Sequence, residues 1–199
     1  MRKINNRIQS STDSYVEELF DAYSKLNVIR LDLSYKKEIA ENITPKEVKK
    51  DLSKLLNNRR HNKTVFGECV GHICKLEKGE EAKGNHLHTI FFFNGHKINN
   101  DSYKASQIGN YWEDTITNGK GTHHSCNTDK SKYTHVGIGK INHFDTDKRN
   151  ILTTMVTSYF AKEEQKVNDG SSPKERTLFK GIVTKQKSNA GRPRKEPES

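Results

Sequence analysis

Apolar positions along the chain follow two rhythms, one of roughly 3.6 residues and one of about 2, which separate helices from strands. Val16, Leu19, Phe20, Tyr23 and Leu26 recur at helical spacing behind Ser14-x-x-Glu17, a capping-box pattern, and predict a helix over 14–26. Residues 1–13 ahead of it are polar and read as a flexible N-terminus. In "NVIRLDLSY" (27–35) Ile29, Leu31 and Leu33 alternate with Arg30, Asp32 and Ser34, the pattern of a half-buried strand. Thr44-Pro45-Lys46-Glu47 starts a second helix, with Pro at the first helical position and Glu three residues after the cap. Val48, Leu52, Leu55 and Leu56 carry it to about Asn58.

"TVFGECVGHICKLE" (64–77) reads as a long strand bulged at Gly67 or Gly71. "KGEEAKGN" (78–85) is a turn, and "HLHTIFFF" (86–93) returns as the second arm of an antiparallel hairpin. A third helix is predicted over 101–116, a polar loop over 118–133, a strand within 134–144, a fourth helix over 146–166 and a last short strand within 175–183. This order of elements predicts an α+β fold, a central antiparallel β-sheet with helices packed on it, formed as one domain over 14–183.

From Thr184 the pattern stops. "TKQKSNAGRPRKEPES" has no large apolar residue and reads as a disordered basic tail over 184–199. Gly191-Arg192-Pro193-Arg194, followed by Lys195, matches the core of an AT-hook, which lies extended in the minor groove of A·T-rich duplex DNA. The bland alternative is a generic charged tail. Charge favours the first: Lys and Arg total 35 against 25 Asp and Glu, a formal charge of +10, which suits a polyanion, most often nucleic acid. No run approaches the roughly 18 apolar residues of a membrane helix. No signal-like segment opens the chain, so a cytoplasmic location without a membrane partner is expected. Three cysteines, Cys69, Cys74 and Cys126, make no disulfide framework.

The candidate chemistry lies on the hairpin. His86 and His88 are two apart on a strand, so their rings project together and can converge on one ion. With nine histidines in the chain, such a pair also arises by chance. Glu77, just before the turn, can reach the start of the partner strand. Two imidazoles and one carboxylate suit Mg²⁺ or Mn²⁺ with positions left open for phosphate oxygens. Glu68 lies several pairs deeper and is the weaker candidate. A structural zinc is disfavoured: Cys69 and Cys74 would face opposite sides of an unbroken strand, and "HHSC" (123–126) has no C-x-x-C partner. Tyr159 and Lys162 share a helical face, with Glu163 nearby. A tyrosine attacks a phosphodiester when a metal polarises the phosphate and a cation assists, although a Tyr beside Val156 and Phe160 is usually core.

"RLDLSY" (30–35), Glu77 with "GNHLHTIFFFNG" (84–95), and "SYFAKEEQ" (158–165) resemble, in order, the three motifs of HUH endonucleases. Within that superfamily the chain looks like the YagK/YfjJ C-terminal family, related to filamentous-phage replication proteins. "QIGNYWEDTITNGKG" (107–121), "GIGKI" (137–141) and "ERTLFKG" (175–181) extend the resemblance over residues 26–182. It implies the HUH fold, with His86, His88 and Glu77 as ligands of Mg²⁺ or Mn²⁺. It implies Tyr159 as the nucleophile that nicks single-stranded or hairpin origin DNA, leaving a 5′-phosphotyrosyl link and a free 3′-hydroxyl. Lys162 would steady the phosphate, and Arg30 and Asp32 would line the site floor and orient the Tyr or the DNA. The implied role is initiation of rolling-circle replication of a phage or mobile element, with a host helicase or polymerase as partner. Only one Tyr stands at the third motif, so a second strand transfer would need water activated by Glu163, or a second subunit. The rival expectations are a DNA-binding regulator on the same fold that does not cut, and a nickase aimed at a competing genome.

Overall fold

The computed structural model of the chain describes residues 4–79, 84–161 and 176–183. The apolar alternation predicted on either side of the turn forms a hairpin of β2 (Cys69–Lys78) and β3 (Asn85–Asn94). β3 is buried along both faces, and it takes the centre of the sheet between β2 and β1 (Lys25–Tyr35). β6 (Leu178–Lys180) flanks β2. Two short strands share the other edge of β1: β4 (Gly121–Ser125) covers its second half and β5 (Gly139–Asn142) its first. All pairings are antiparallel, so the fold is the expected α+β sheet covered by helices.

One face carries Ile29, Leu31, Leu33, Leu76, Leu87, Phe91 and Phe93 and is covered by α3 (Pro45–Arg59) and α5 (Asp101–Tyr111). α3 opens with the predicted capping box, since Thr44 and Glu47 each bond the other's backbone N–H. The opposite face carries Val28, Ile73, Ile90 and Phe92. It is covered by α1 (Asn6–Ala22) and by a continuous helical run of α6 (Thr146–Ile151), a π-helical stretch (Leu152–Thr157) and α7 (Ser158–Ala161). Short α2 (Lys37–Ala40) and α4 (Lys63–Phe66) complete the order. No helix among the described residues is long and apolar enough to cross a membrane.

Several boundaries differ from the sequence expectation. The first helix begins at Asn6, not Ser14, because Asn5 caps it by accepting the Ile8 N–H at 3.1 Å. Residues 6–13 are therefore helical, and buried Thr12 packs in the core. The same helix stops at Ala22, and Leu26 becomes strand core paired with Asn94. The long strand predicted from Thr64 begins only at Cys69. Residues Lys63–Phe66 form α4, which ends at Gly67, where a Cβ would stand 2.3 Å from the Lys63 carbonyl oxygen. The bulge falls between Cys69 and Gly71, and the extra residue turns Cys69 onto the face that holds Cys74, against the expected opposite faces. The polar loop over 118–133 contains β4, an edge strand without an apolar stripe, held by backbone pairing with β1 and by side-chain bonds from Thr117 and Glu113. The predicted strand within 134–144 shrinks to β5. The tail residues Arg192, Arg194 and Lys195 lie outside the described residues.

His72 on β2 gives the fold a testable pH dependence. Burial, then Arg59 and Arg60, push its imidazole down to about 4 from the ordinary 6.5. The unfolded chain therefore takes up a proton on this ring at a higher pH than the folded protein does. The stability so gained is complete above pH 6.5 and drains away as pH falls towards 4. Between pH 7 and pH 5 the loss from this group is roughly 2 kcal/mol. Urea unfolding of wild type and His72→Gln at both pH values should show their stability gap shrink by that amount on acidification. A gap independent of pH would remove His72 as the cause.

Candidate metal centre

The sheet register assembles the site. Glu77 on β2 pairs with His86, Lys75 pairs with His88, and on the other side Asp32 on β1 pairs with His88. Paired residues share a face. Rows on this face therefore run from apolar, with Phe92 and Ile90, to polar, with His88 and then His86. Leu87 between the histidines points into the opposite core. Gly84, which leads into β3, has φ +58, and a Cβ there would meet the Ala40 carbonyl oxygen at 2.1 Å.

Each imidazole is held from behind. His88 Nδ1 lies 2.6 Å from Asp32 Oδ1, and His86 Nδ1 lies 3.2 Å from the Gly84 carbonyl oxygen. With Nδ1–H donating in both cases, both Nε2 atoms face inward, 3.1 Å apart. Glu77 Oε2 lies 3.1 Å from His88 Nε2. That nitrogen is instead aligned with His86, so Oε2 is buried without a hydrogen bond. The ligand atoms of Glu77, His86 and His88 all lie within 4.8 Å of one another. A divalent cation fits this set: it would replace the proton shared by the two Nε2 atoms and satisfy the orphaned carboxylate oxygen. Imidazole and carboxylate donors accept several first-row divalent ions, Mn²⁺ among them. Carboxylate support behind a ligating His is the usual outer-shell arrangement.

The electrostatics agree. Burial disfavours the His88 cation, but its hydrogen bond with Asp32 and the nearby carboxylate charges of Asp32 and Glu77 outweigh that and hold its pKa above the ordinary value. Burial and then the His88 charge push His86 down. Burial raises Asp32 and Glu77, yet His88 outweighs it in each case and both carboxyls end below their ordinary values.

Tyr159 on α7 reaches the same place. Its ring meets the His88 ring edge-on, with centroids 4.8 Å apart, and the Arg30 guanidinium carbon stands 5.2 Å from its centre. The preceding π-helical stretch offsets the helix by a fraction of a turn, so that Met155 is exposed while the Tyr159 ring faces His88. Thus His86, His88, Glu77, Asp32, Arg30 and Tyr159 come together. Asp32 hydrogen-bonds His88. Lys162 and Glu163 lie outside the described residues. Glu68 sits beyond the far end of β2. Among the described residues no second His, Cys, Asp and Glu cluster could hold a metal. In "HHSC", His123 instead pairs with Glu113 at 2.8 Å. Sequence reading missed Lys75, whose signal was its place two residues before Glu77 on the same strand face.

An antiparallel α+β sheet with a two-histidine, one-carboxylate cluster beside a tyrosine defines a protein with a candidate divalent-metal centre. The chain belongs to the YagK/YfjJ C-terminal domain family, whose model matches residues 4–173. No curated protein and no solved structure matches it.

Proposed function

We propose that the chain is a metal-dependent DNA strand-cleaving and strand-joining enzyme with Tyr159 as nucleophile. The observation that carries this reading is the seating of the Tyr159 ring 4.8 Å from His88, itself one of three convergent ligand atoms. The resemblance of three ordered motifs to HUH endonucleases and the formal charge of +10 support DNA as substrate. A divalent ion held by His86, His88 and Glu77 would polarise the scissile phosphate.

The chain's own residues do the rest. The Tyr159 hydroxyl loses its proton and its oxygen attacks phosphorus. The P–O3′ bond breaks, the departing oxygen takes a proton, and the DNA 5′ end remains on the tyrosine as a phosphodiester. A free 3′-hydroxyl that attacks this linkage reverses the step, joins two strands and returns the phenol. Arg30 places positive charge beside the ring where negative charge develops. Asp32 holds His88 in the tautomer that turns Nε2 inward. Such chemistry starts rolling-circle replication when aimed at the origin of a phage or mobile element.

Incubation with labelled single-stranded DNA that includes the flanking sequences of the protein's own gene tests the reading. A covalent band on a denaturing gel should form with Mn²⁺ and disappear with EDTA. DNA binding without any band would instead make the protein a non-cutting regulator.

A further inference from the structure

Arg30 connects the metal centre to a second feature. While its guanidinium stands beside Tyr159, the same side chain lines a cavity of about 230 Å³ that the chemistry above does not use. Buried Cys126, Ile138 and Val156 make its floor. Tyr133 and Met155, 38% and 55% exposed, stand at its mouth. The space is smaller than the roughly 300–1,000 Å³ of a drug-sized site and suits one planar ring.

Its lining carries a buried polar atom that lacks a partner. Arg30 Nε is buried without a hydrogen bond. Thr134 and His135, exposed along one wall, present peptide groups that no backbone bond among the described residues takes up. A mere packing gap would be lined by apolar atoms and would not leave a buried guanidinium nitrogen unpaired. An aromatic ring and a thioether at the mouth, an apolar floor and free peptide groups at one side are what an unstacked base needs: faces to stack on and an edge to bond. The Tyr133 phenol lies beside the Cys126 thiol, which places that ring between the floor and the rim. Val156 on the floor is three residues from Tyr159 on the same helical run, so an occupant would lie close to the phosphate under attack.

We propose that this cavity receives one unpaired nucleobase of the DNA strand next to the scissile phosphate and thereby selects the cleavage site. The proposal rests on the reading of Tyr159 as nucleophile. A base stacked in a duplex cannot enter, which agrees with the single-stranded substrate of the proposed function.

Two measurements on the full chain test it. Random-sequence single-stranded oligonucleotides carrying 5-iododeoxyuridine are irradiated with the protein, and the cross-linked residues are mapped by mass spectrometry. Separately, adducts formed from a random pool in Mn²⁺ are sequenced for wild type, Met155→Trp and Tyr133→Ala. Cross-links within residues 133–138 or at Met155 are expected. Wild type should show a base preference at one position beside the junction, falling roughly tenfold when Trp fills the mouth or Ala removes the ring. Cross-linking that misses these residues overturns the proposal, as does a base preference unchanged in both variants. Cross-linking needs no cutting, so the two readings fail separately. Cross-links in the cavity without any adduct would retain the base site and remove the nuclease; adducts with a cavity never cross-linked would do the reverse.

Discussion

Tyr159→Phe is expected to abolish the covalent protein–DNA band and to slow metal-dependent strand cleavage ~10³-fold or more, while Mn²⁺ binding stays at the wild-type level. The substitution removes one oxygen and keeps the ring. The edge contact with His88 and the Arg30 contact both use the ring, so the metal ligands and the packing of α7 are retained. What is lost is the only atom at that position able to bond phosphorus. The expectation separates two roles for Tyr159. As a core aromatic, the phenylalanine variant would cut as wild type does. As the nucleophile, it leaves a protein that binds metal and DNA and forms no linkage. Unchanged adduct formation in this variant would move the nucleophile to another residue and remove the proposed mechanism.

Local pattern made part of this site legible and long-range register hid the rest. The His86–Leu87–His88 alternation and the apolar run after it read directly as a strand with two rings on one face, and the short turn brought Glu77 within reach. These relations span few residues, and strand periodicity governs them. Asp32 carried no such signal. Its place behind His88 depends on β1 pairing with β3, residues 56 apart in sequence, which no local pattern encodes. β4 was hidden for a related reason: Thr122, His123 and His124 show no apolar alternation, and the strand exists because β1 offers it a free edge. The first helix was read too short because two capping signals compete, and Asn5 prevails by letting residues 6–13 pack Thr12 into the core. The side-to-side relation of Cys69 and Cys74 turned on a one-residue bulge whose position shifts every face assignment before it. The approach of Tyr159 to His88 came from resemblance alone, since neither the π-helical stretch nor the docking of that helix on the sheet is written in a local pattern.

Replacing His86 by alanine is expected to eliminate measurable Mn²⁺ binding, whereas Asp32→Asn should weaken it by about 10–100-fold without eliminating it. The difference follows from position. His86 contributes one of three convergent ligand atoms, and two donors do not hold a labile ion against water. Asp32 is not among the three convergent ligands; it fixes the His88 tautomer and raises the basicity of Nε2. The ion must displace the His88 proton, so affinity climbs with pH and levels off only once that proton is gone. Burial lowers the His88 pKa, but Asp32 and Glu77 hold it above the ordinary imidazole value. Loss of metal on acidification therefore begins at a higher pH than for a free histidine. Asn at position 32 removes one of the two stabilising carboxylates, so its midpoint should move to lower pH even as its limiting affinity falls. Mn²⁺ titrations by electron paramagnetic resonance from pH 5.5 to 8.5 read both quantities on metal-free protein, without any need for DNA. A His86→Ala protein that binds Mn²⁺ as tightly as wild type would remove the metal centre, and with it the polarised phosphate on which attack by Tyr159 depends.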